Sequence, residues 1–233
     1  MPDRHTVLGG QAKLLIVADG VGGGPAADRA SSVAVDGLAY QVLTVVPWVL
    51  DDAQRAGEAL RDAVRWCAAR VREIGLPGPR EPATTLTAAL LCGEMMYVVH
   101  VGDSRCYLYH AGRLQQLTRD HTLAQILDDE AKVRSLPPPR DETGASSPFR
   151  HILCNAVGYG PAAKLQVQLE QRALVKGDVV LLCSDGLTGR VPDTAIAQVL
   201  RRGGAAQAMA DALVKEAIAA GETDDVTIAL ACI

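Results

Sequence analysis

Aromatic residues make up only 3% of the 233-residue chain, so its core has to be built from Ala, Val and Leu rather than from large rings. No apolar run reaches the roughly 18–20 residues that a bilayer-spanning helix needs. The first residues lack a basic segment followed by an apolar one, so no secretory signal is expected. Basic runs and RNA-type aromatic motifs are missing too, and the net charge is -4. Both argue against nucleic acid as a partner, because phosphate backbones attract basic surfaces. Six cysteines (Cys67, Cys92, Cys106, Cys154, Cys183, Cys232) lie far apart with no C-x-x-C pair. That spacing supports neither a zinc site nor a disulfide framework. It predicts reduced thiols, several of them buried, in a cytoplasmic protein without membrane contact.

An apolar content of 48% and a length of 233 residues suit one sizeable globular domain spanning 1–233. The run Leu14–Ala18 reads as a buried strand ending at Asp19-Gly20. Gly22, Gly23, Gly24 and Pro25 then break the chain. Helical periodicity follows from Ala26 to about Val46 and from Ala53 to Val71, and Gly75–Pro82 reads as a loop. Thr84–Leu91, Met95–Val101 and Arg105–Tyr109 are β-favouring. A hairpin turn is expected at His110–Arg113, with Leu114–Leu117 returning from it. A helix is expected from near His121, and the proline-rich stretch 135–148 reads as a long exposed loop. Lys164–Ala173 and Asp178–Ser184 read as strands around a Lys176-Gly177 turn. Pro192–Arg201 and Ala205–Ala220 read as helices, and Asp225–Cys232 as a closing strand. Hairpin-like connections combined with long helices indicate α+β rather than a parallel βαβ fold.

Acidic residues recur beside turns at strand ends: Asp19 in VADG, Asp185 in CSDG, and Asp224 with Asp225 in ETDDVT. A single Asp-Gly is an ordinary turn. Two of them closing buried strands, with an acidic pair opening a third, suggest carboxylates brought together. Such groups repel one another and stay ionised only beside a cation. Oxygen ligands without clustered His or Cys favour Mg²⁺ or Mn²⁺ over Zn²⁺.

The ordered set VADGVGGG, ATTLTAALL, YVVHVGDSRCYLYHAGRLQQLTRDH, GDVVLLCSDGLT and ETDDVTIAL resembles the successive motifs of the metal-dependent Ser/Thr protein phosphatases (type 2C, PPM) in their bacterial form. The resemblance runs from about Asp3 to the C-terminus. It implies a four-layer α-β-β-α sandwich, two antiparallel sheets flanked by helices, with a two-metal site at one end. It also implies that Asp19 bridges two Mn²⁺ or Mg²⁺ ions, that Gly20 offers its carbonyl, and that Asp185 and Asp224 complete the ligands. Asp225 stands where the family usually has Asn. Asp3 and Asp103 are accessory candidates. The expected activity is hydrolysis of phosphoserine and phosphothreonine by a metal-activated water, in bacterial signalling, on phosphoproteins made by an opposing Ser/Thr kinase.

Departures from the family pattern shape a second expectation. An Arg that the family carries upstream, to hold the substrate phosphate, has no counterpart before Asp3. The usual Asp four residues after Asp185 is Gly189, so a third ion is expected to bind weakly or not at all. Val21 occupies the place where eukaryotic members carry a His general acid. These departures motivate the alternative of a weakened or inactive pseudophosphatase serving as a regulatory binding module. The resemblance also places a flap-like loop at 128–150, bordering the site. Two other readings are weaker. Gly22-x-Gly24-x-x-Ala27 approaches a dinucleotide fingerprint, but no acidic strand end follows, and Asp19 would repel a pyrophosphate. Gly102-Asp103-Ser104 lacks the general base that a serine nucleophile needs. Among the histidines, His5, His100, His110 and His121 read as structural or surface groups.

Overall fold

The computed structural model describes residues 12–44, 52–74, 81–137, 140 and 147–233. The expected Asp3 and His5, and most of the 75–82 loop, therefore lie outside the described residues. Eight strands are described, forming two antiparallel sheets. The first has the order β1-β2-β3-β6: β1 Lys13–Val17, β2 Leu86–Cys92, β3 Met95–Val101 and β6 Gln168–Ala173. The second has the order β5-β4-β7-β8: β4 Arg105–His110, β5 Arg113–Gln116, β7 Val179–Cys183 and β8 Ile228–Cys232.

The apolar runs of the central strands follow from what covers them. A strand alternates its side chains between two faces. In β2, Leu86, Ala88 and Leu90 join the layer beneath two helices, α1 (Pro25–Thr44) and α2 (Ala53–Arg72). Ala89 and Leu91 point instead into the layer between the sheets. In β7, Val180 and Leu182 face that inner layer, while Val179, Leu181 and Cys183 face outward. There they meet α4 (Asp185–Thr188), α5 (Asp193–Arg202) and α6 (Ala206–Ala219). Three apolar layers therefore separate four layers of structure. Antiparallel sheets often leave one face wet. Here helices cover both outer faces, so the alternating pattern gives way to continuous apolar runs. None of the described helices is long and apolar enough to cross a membrane.

Several element ends differ from the sequence reading. The strand expected from Lys164 begins at Gln168, because Ala162–Lys164 forms a 3₁₀ turn after Pro161. The strand expected from Asp225 begins at Ile228. Before it, the Ser184 N–H donates to the Thr227 carbonyl at 3.0 Å, but the Asp225 carbonyl and the Thr227 N–H are bonded by the Ser184 hydroxyl instead, at 3.2 and 3.0 Å, so regular pairing stops there. Of the stretch expected as a flap, 128–150, residues 138, 139 and 141–146 lie outside the described residues, and 128–134 are helical. Thr122 caps α3 (Leu123–Arg134) by accepting from the Gln125 N–H, Ala131 buries one face of its last turns, and only at Ser135 does the chain turn left-handed, with φ 54°. The hairpin at 110–113 is present, with Ala111 and Gly112 both at positive φ.

Candidate metal-binding active site

Four turns meet at one end of the sandwich. Asp19 follows β1, and Asp103 sits in the crossing from β3 to β4, where the chain passes from one sheet to the other. Asp185 follows β7, and Asp224 precedes β8. Asp19, Gly20, Asp103, Asp185, Asp224 and Asp225 all line a single cleft of about 580 Å³.

Buried hydroxyls fix these turns. The Asp19 N–H donates to Thr85 Oγ1 at 2.9 Å, and the Asp19 carbonyl accepts from the Thr85 N–H at 2.8 Å and from the Thr84 hydroxyl at 2.9 Å. Thr85 Oγ1 also bonds the Ser104 hydroxyl at 2.8 Å, beside Asp103. Thr84, Thr85 and Ser104 are almost fully buried. The ATT segment therefore ties Asp19 to Asp103 across the end of the first sheet. Gly102 makes the crossing possible: its φ is 111°, and a Cβ there would lie 2.6 Å from the Thr85 side chain.

A second set of contacts joins Asp185 to Asp224. A Cβ on Gly186 would stand 2.4 Å from the Asp225 carbonyl oxygen. The glycine of the second Asp-Gly is thus required by the close approach of the 224–225 loop. Ser184 pins that loop to the end of β7, as described for β8. The Asp225 N–H donates to Asp224 Oδ1 at 2.9 Å. Glu222 accepts from the Thr223 and Asp224 N–H groups at 2.8 and 3.0 Å. The Asp224 N–H above all, then that of Thr223 and the nearby Arg190 and Arg150, hold the Glu222 carboxyl below its usual range.

The electrostatics of the cleft are lopsided. Burial first, and then the charges of Asp185, Asp224 and Asp225, push the Asp19 carboxyl up to about 7. Burial followed by Asp185, Asp120 and Asp19 does the same to Asp103, also to about 7. Among the described residues, no Lys or Arg lines the cleft; the one basic side chain there is His151. His151 Nδ1 lies 3.9 Å from Asp185 Oδ2. Sequence reasoning passed over this histidine, since no local spacing links it to an acid. It reaches the cleft only because the segment after α3 folds back, with the Leu123 N–H bonded to the Ile152 carbonyl and the Cys154 N–H to the His121 carbonyl.

This donor set suits hard divalent cations. Clustered carboxylates with raised pKa values need external positive charge to ionise. Among the described residues, no three His, Cys, Asp or Glu side chains converge closely enough to form a ligand group on their own. Backbone carbonyls and water have to complete any coordination shell, which is how Mg²⁺ is commonly held. The Gly189 position has its own explanation. Its N–H donates to the Asp185 carbonyl at 2.6 Å. A Cβ there would lie 3.4 Å from Glu222 Oε2, so a carboxylate at 189 would meet one already in place.

Comparison with known proteins agrees with this arrangement. The family described as Protein phosphatase 2C matches residues 3–219. The chain belongs to that family. It is 34% identical over 225 residues to the serine/threonine protein phosphatase PstP of Mycobacterium tuberculosis, covering 94% of this chain and 40% of PstP. It therefore spans less than half of that relative's length. It is 32% identical over 223 residues to the serine/threonine phosphatase stp of Listeria monocytogenes, covering 93% of this chain and 83% of stp. Among solved structures, M. tuberculosis PstP superposes with a TM-score of 0.75 at 34% identity, covering 96% of this chain and 89% of that one. A PstP catalytic domain in complex with two manganese ions superposes with a TM-score of 0.71 at 32% identity, covering 95% and 88%. The α+β, two-sheet architecture is the fold of this family.

Proposed function

We propose that this chain is a single catalytic domain that hydrolyses phosphoserine and phosphothreonine in proteins. It would do so with two Mn²⁺ or Mg²⁺ ions held by Asp19, Asp185, Asp224 and the Gly20 carbonyl. The observation that carries the reading is the convergence of strand-end carboxylates from both sheets in one cleft that, among the described residues, no Lys or Arg lines. The two manganese ions of the related PstP structure support it. Two bound cations supply an activated water and neutralise charge on the phosphoryl group.

The protein's own part is placement. Thr84 and Thr85 hold the Asp19 backbone. Gly186 and Ser184 bring the 224–225 loop against Asp185. Asp103 and Asp225 add negative charge at the rim, and His151 borders the cleft beside Asp185. Burial of Asp19 and Asp103 keeps water from screening these charges, which strengthens their pull on a cation. The substrates are then phosphoproteins made by an opposing Ser/Thr kinase.

Purified protein assayed with Mn²⁺ on a phosphothreonine peptide, beside Asp185→Asn, tests the proposal. Phosphate release that depends on Mn²⁺ and vanishes in the variant supports catalysis. Mn²⁺ binding by calorimetry with no turnover would replace it with the regulatory module.

A further inference from the structure

A second recess, of about 720 Å³, lies under α2 and α3, away from the carboxylate cleft. On a chain of net charge -4, it gathers Arg61, Arg65, Arg119 and Lys164 against a single acidic residue of its lining, Asp120. Asp120 is already engaged: Arg105 bonds both its oxygens, at 2.7–3.1 Å. It offers the four cations little.

Two of the four cations have no ion pair among the described residues, and a third has a weak one. Arg65 pairs with Asp62 three residues earlier on the same helix, with both side chains widely exposed; such pairs hold weakly. Arg119 pairs with Asp129. Among the described residues, neither Arg61 nor Lys164 has an ion pair within 4 Å. Arg61 and Arg65 are four residues apart on α2, so their like charges face each other on consecutive turns and repel. An anion between them removes that repulsion.

The rest of the wall mixes apolar side chains, such as Ile126, Leu165 and Val167, with amides. The amides of Gln125, Asn155 and Gln168 already donate to protein acceptors, while the Gln166 side chain has no described hydrogen bond. The His121 ring lines the same recess, and its Nδ1 accepts from both the Gly102 N–H at 3.1 Å and the Asn155 side-chain amide at 2.9 Å. A nitrogen accepting twice carries no proton, so the proton sits on Nε2, which no described hydrogen bond uses.

We infer that this recess is a binding site for a phosphate group, distinct from the carboxylate cleft, with Arg61 and Arg65 as its principal anchors. Guanidinium forks match phosphate oxygens in pairs, and the Gln166 amide and the His121 Nε2–H can supply further donors. The phosphate has two sources: inorganic phosphate released by hydrolysis, or a second phosphorylated residue on a substrate protein. The inference rests on the phosphatase reading only for these sources, not for the site. The recess also has a covalently short path to the cleft. Its His121 is bonded through Gly102 N–H, and the His121 N–H donates to the Gly102 carbonyl at 2.7 Å; the next residue is Asp103.

The test separates the two sites by removing metal. In EDTA the cleft is a cluster of carboxylates that repels anions, so anion binding then reports on the recess alone. Inorganic phosphate and a phosphothreonine peptide, each beside the unphosphorylated peptide, are titrated into the metal-free protein while backbone amide NMR signals are followed. Shifts centred on 119–125 and 164–168 are expected. They should weaken with added NaCl and be lost by at least about tenfold in R61Q/R65Q, since each charge-assisted bond accounts for about that much. A response to phosphate and peptide alike identifies the free anion as sufficient; a response to the phosphopeptide alone identifies a substrate-borne phosphate. Equal binding by the unphosphorylated peptide, binding unchanged in a folded R61Q/R65Q variant, or no shift at millimolar phosphate would each overturn the site. None of these outcomes depends on turnover, so the catalytic reading stands or falls separately.

Discussion

Strand β7 has an aspartate just beyond each end, and the two are held in opposite ways. Asp178, before the strand, is 3% exposed. Its Oδ1 meets His110 Nδ1 at 2.7 Å and its Oδ2 accepts the Val175 N–H at 3.0 Å. Every demand of that carboxylate is met by the protein. Asp185, after the strand, has the carboxylates of Asp19, Asp103, Asp224 and Asp225 as neighbours along the cleft and His151 at 3.9 Å. On the metal-site reading, the contrast separates a carboxylate that serves the fold from one that serves a ligand. Burial alone does not tell them apart; the supply of donors does.

The widest way to sharpen this contrast is to neutralise the cleft end. Asp185→Asn is expected to lower kcat/KM for a phosphothreonine peptide by about a thousandfold or more, since cation-based charge neutralisation is worth several kcal/mol. Its thermal midpoint without metal should be unchanged or higher. A variant that keeps its activity would break the comparison. Next in size is Gly186→Ala. Its methyl would lie 2.4 Å from the Asp225 carbonyl, and the required backbone shift costs about 1–3 kcal/mol. Calorimetric Mn²⁺ affinity should fall with it, because the displaced loop carries Asp224.

At the other end, Asp178→Ala strands a buried N–H and is expected to cost about 1–3 kcal/mol of stability. Mn²⁺ affinity and KM should stay as they were, read by denaturant melts and calorimetry. The smallest effect has the opposite sign. In the folded, metal-free protein the Asp103 carboxyl holds its proton up to about 7, whereas the unfolded chain releases it near 4. Stability without metal therefore falls as pH rises through that window. Asp103→Asn removes the burden. Without metal it should melt above the parent at pH 8 and level with it near pH 4. A gap that widened toward acid would refute the assignment.

The sequence announced the frame better than the joints. Central strands were legible because helices cover both outer faces, which makes runs such as Ala88–Leu91 apolar throughout. The Asp19-Gly20 end of β1 was legible as a turn, whereas the second expected Asp-Gly turn opens a short helix at Asp185; the motif resemblance placed the two together. What sequence could not carry was geometry made by distant contact. The four-residue helix at Asp185–Thr188 is too short to show a period. The late start of β8 depends on a hydroxyl 41 residues away from Asp225. Gly189 read as a lost ligand, but its place beside Glu222 is visible only in three dimensions. His151 gave no signal at all, since a long segment delivers it to the cleft. The candidate ligands were named from pattern, and the groups that hold them in place were not.

The inner apolar layer has a mechanical consequence. Asp19 rides on one sheet, while Asp185 and Asp224 ride on the other. Between them lie small side chains, Ala89, Cys106 and Ala231 among them, in a layer that leaves no room to yield. That layer works as a gauge block, setting how far apart the two halves of the cleft stand. A single methylene added there, remote from every carboxylate, would change the span across which ions must fit. On the two-metal reading, metal preference is then open to tuning from the hydrocarbon interior as well as from the ligands.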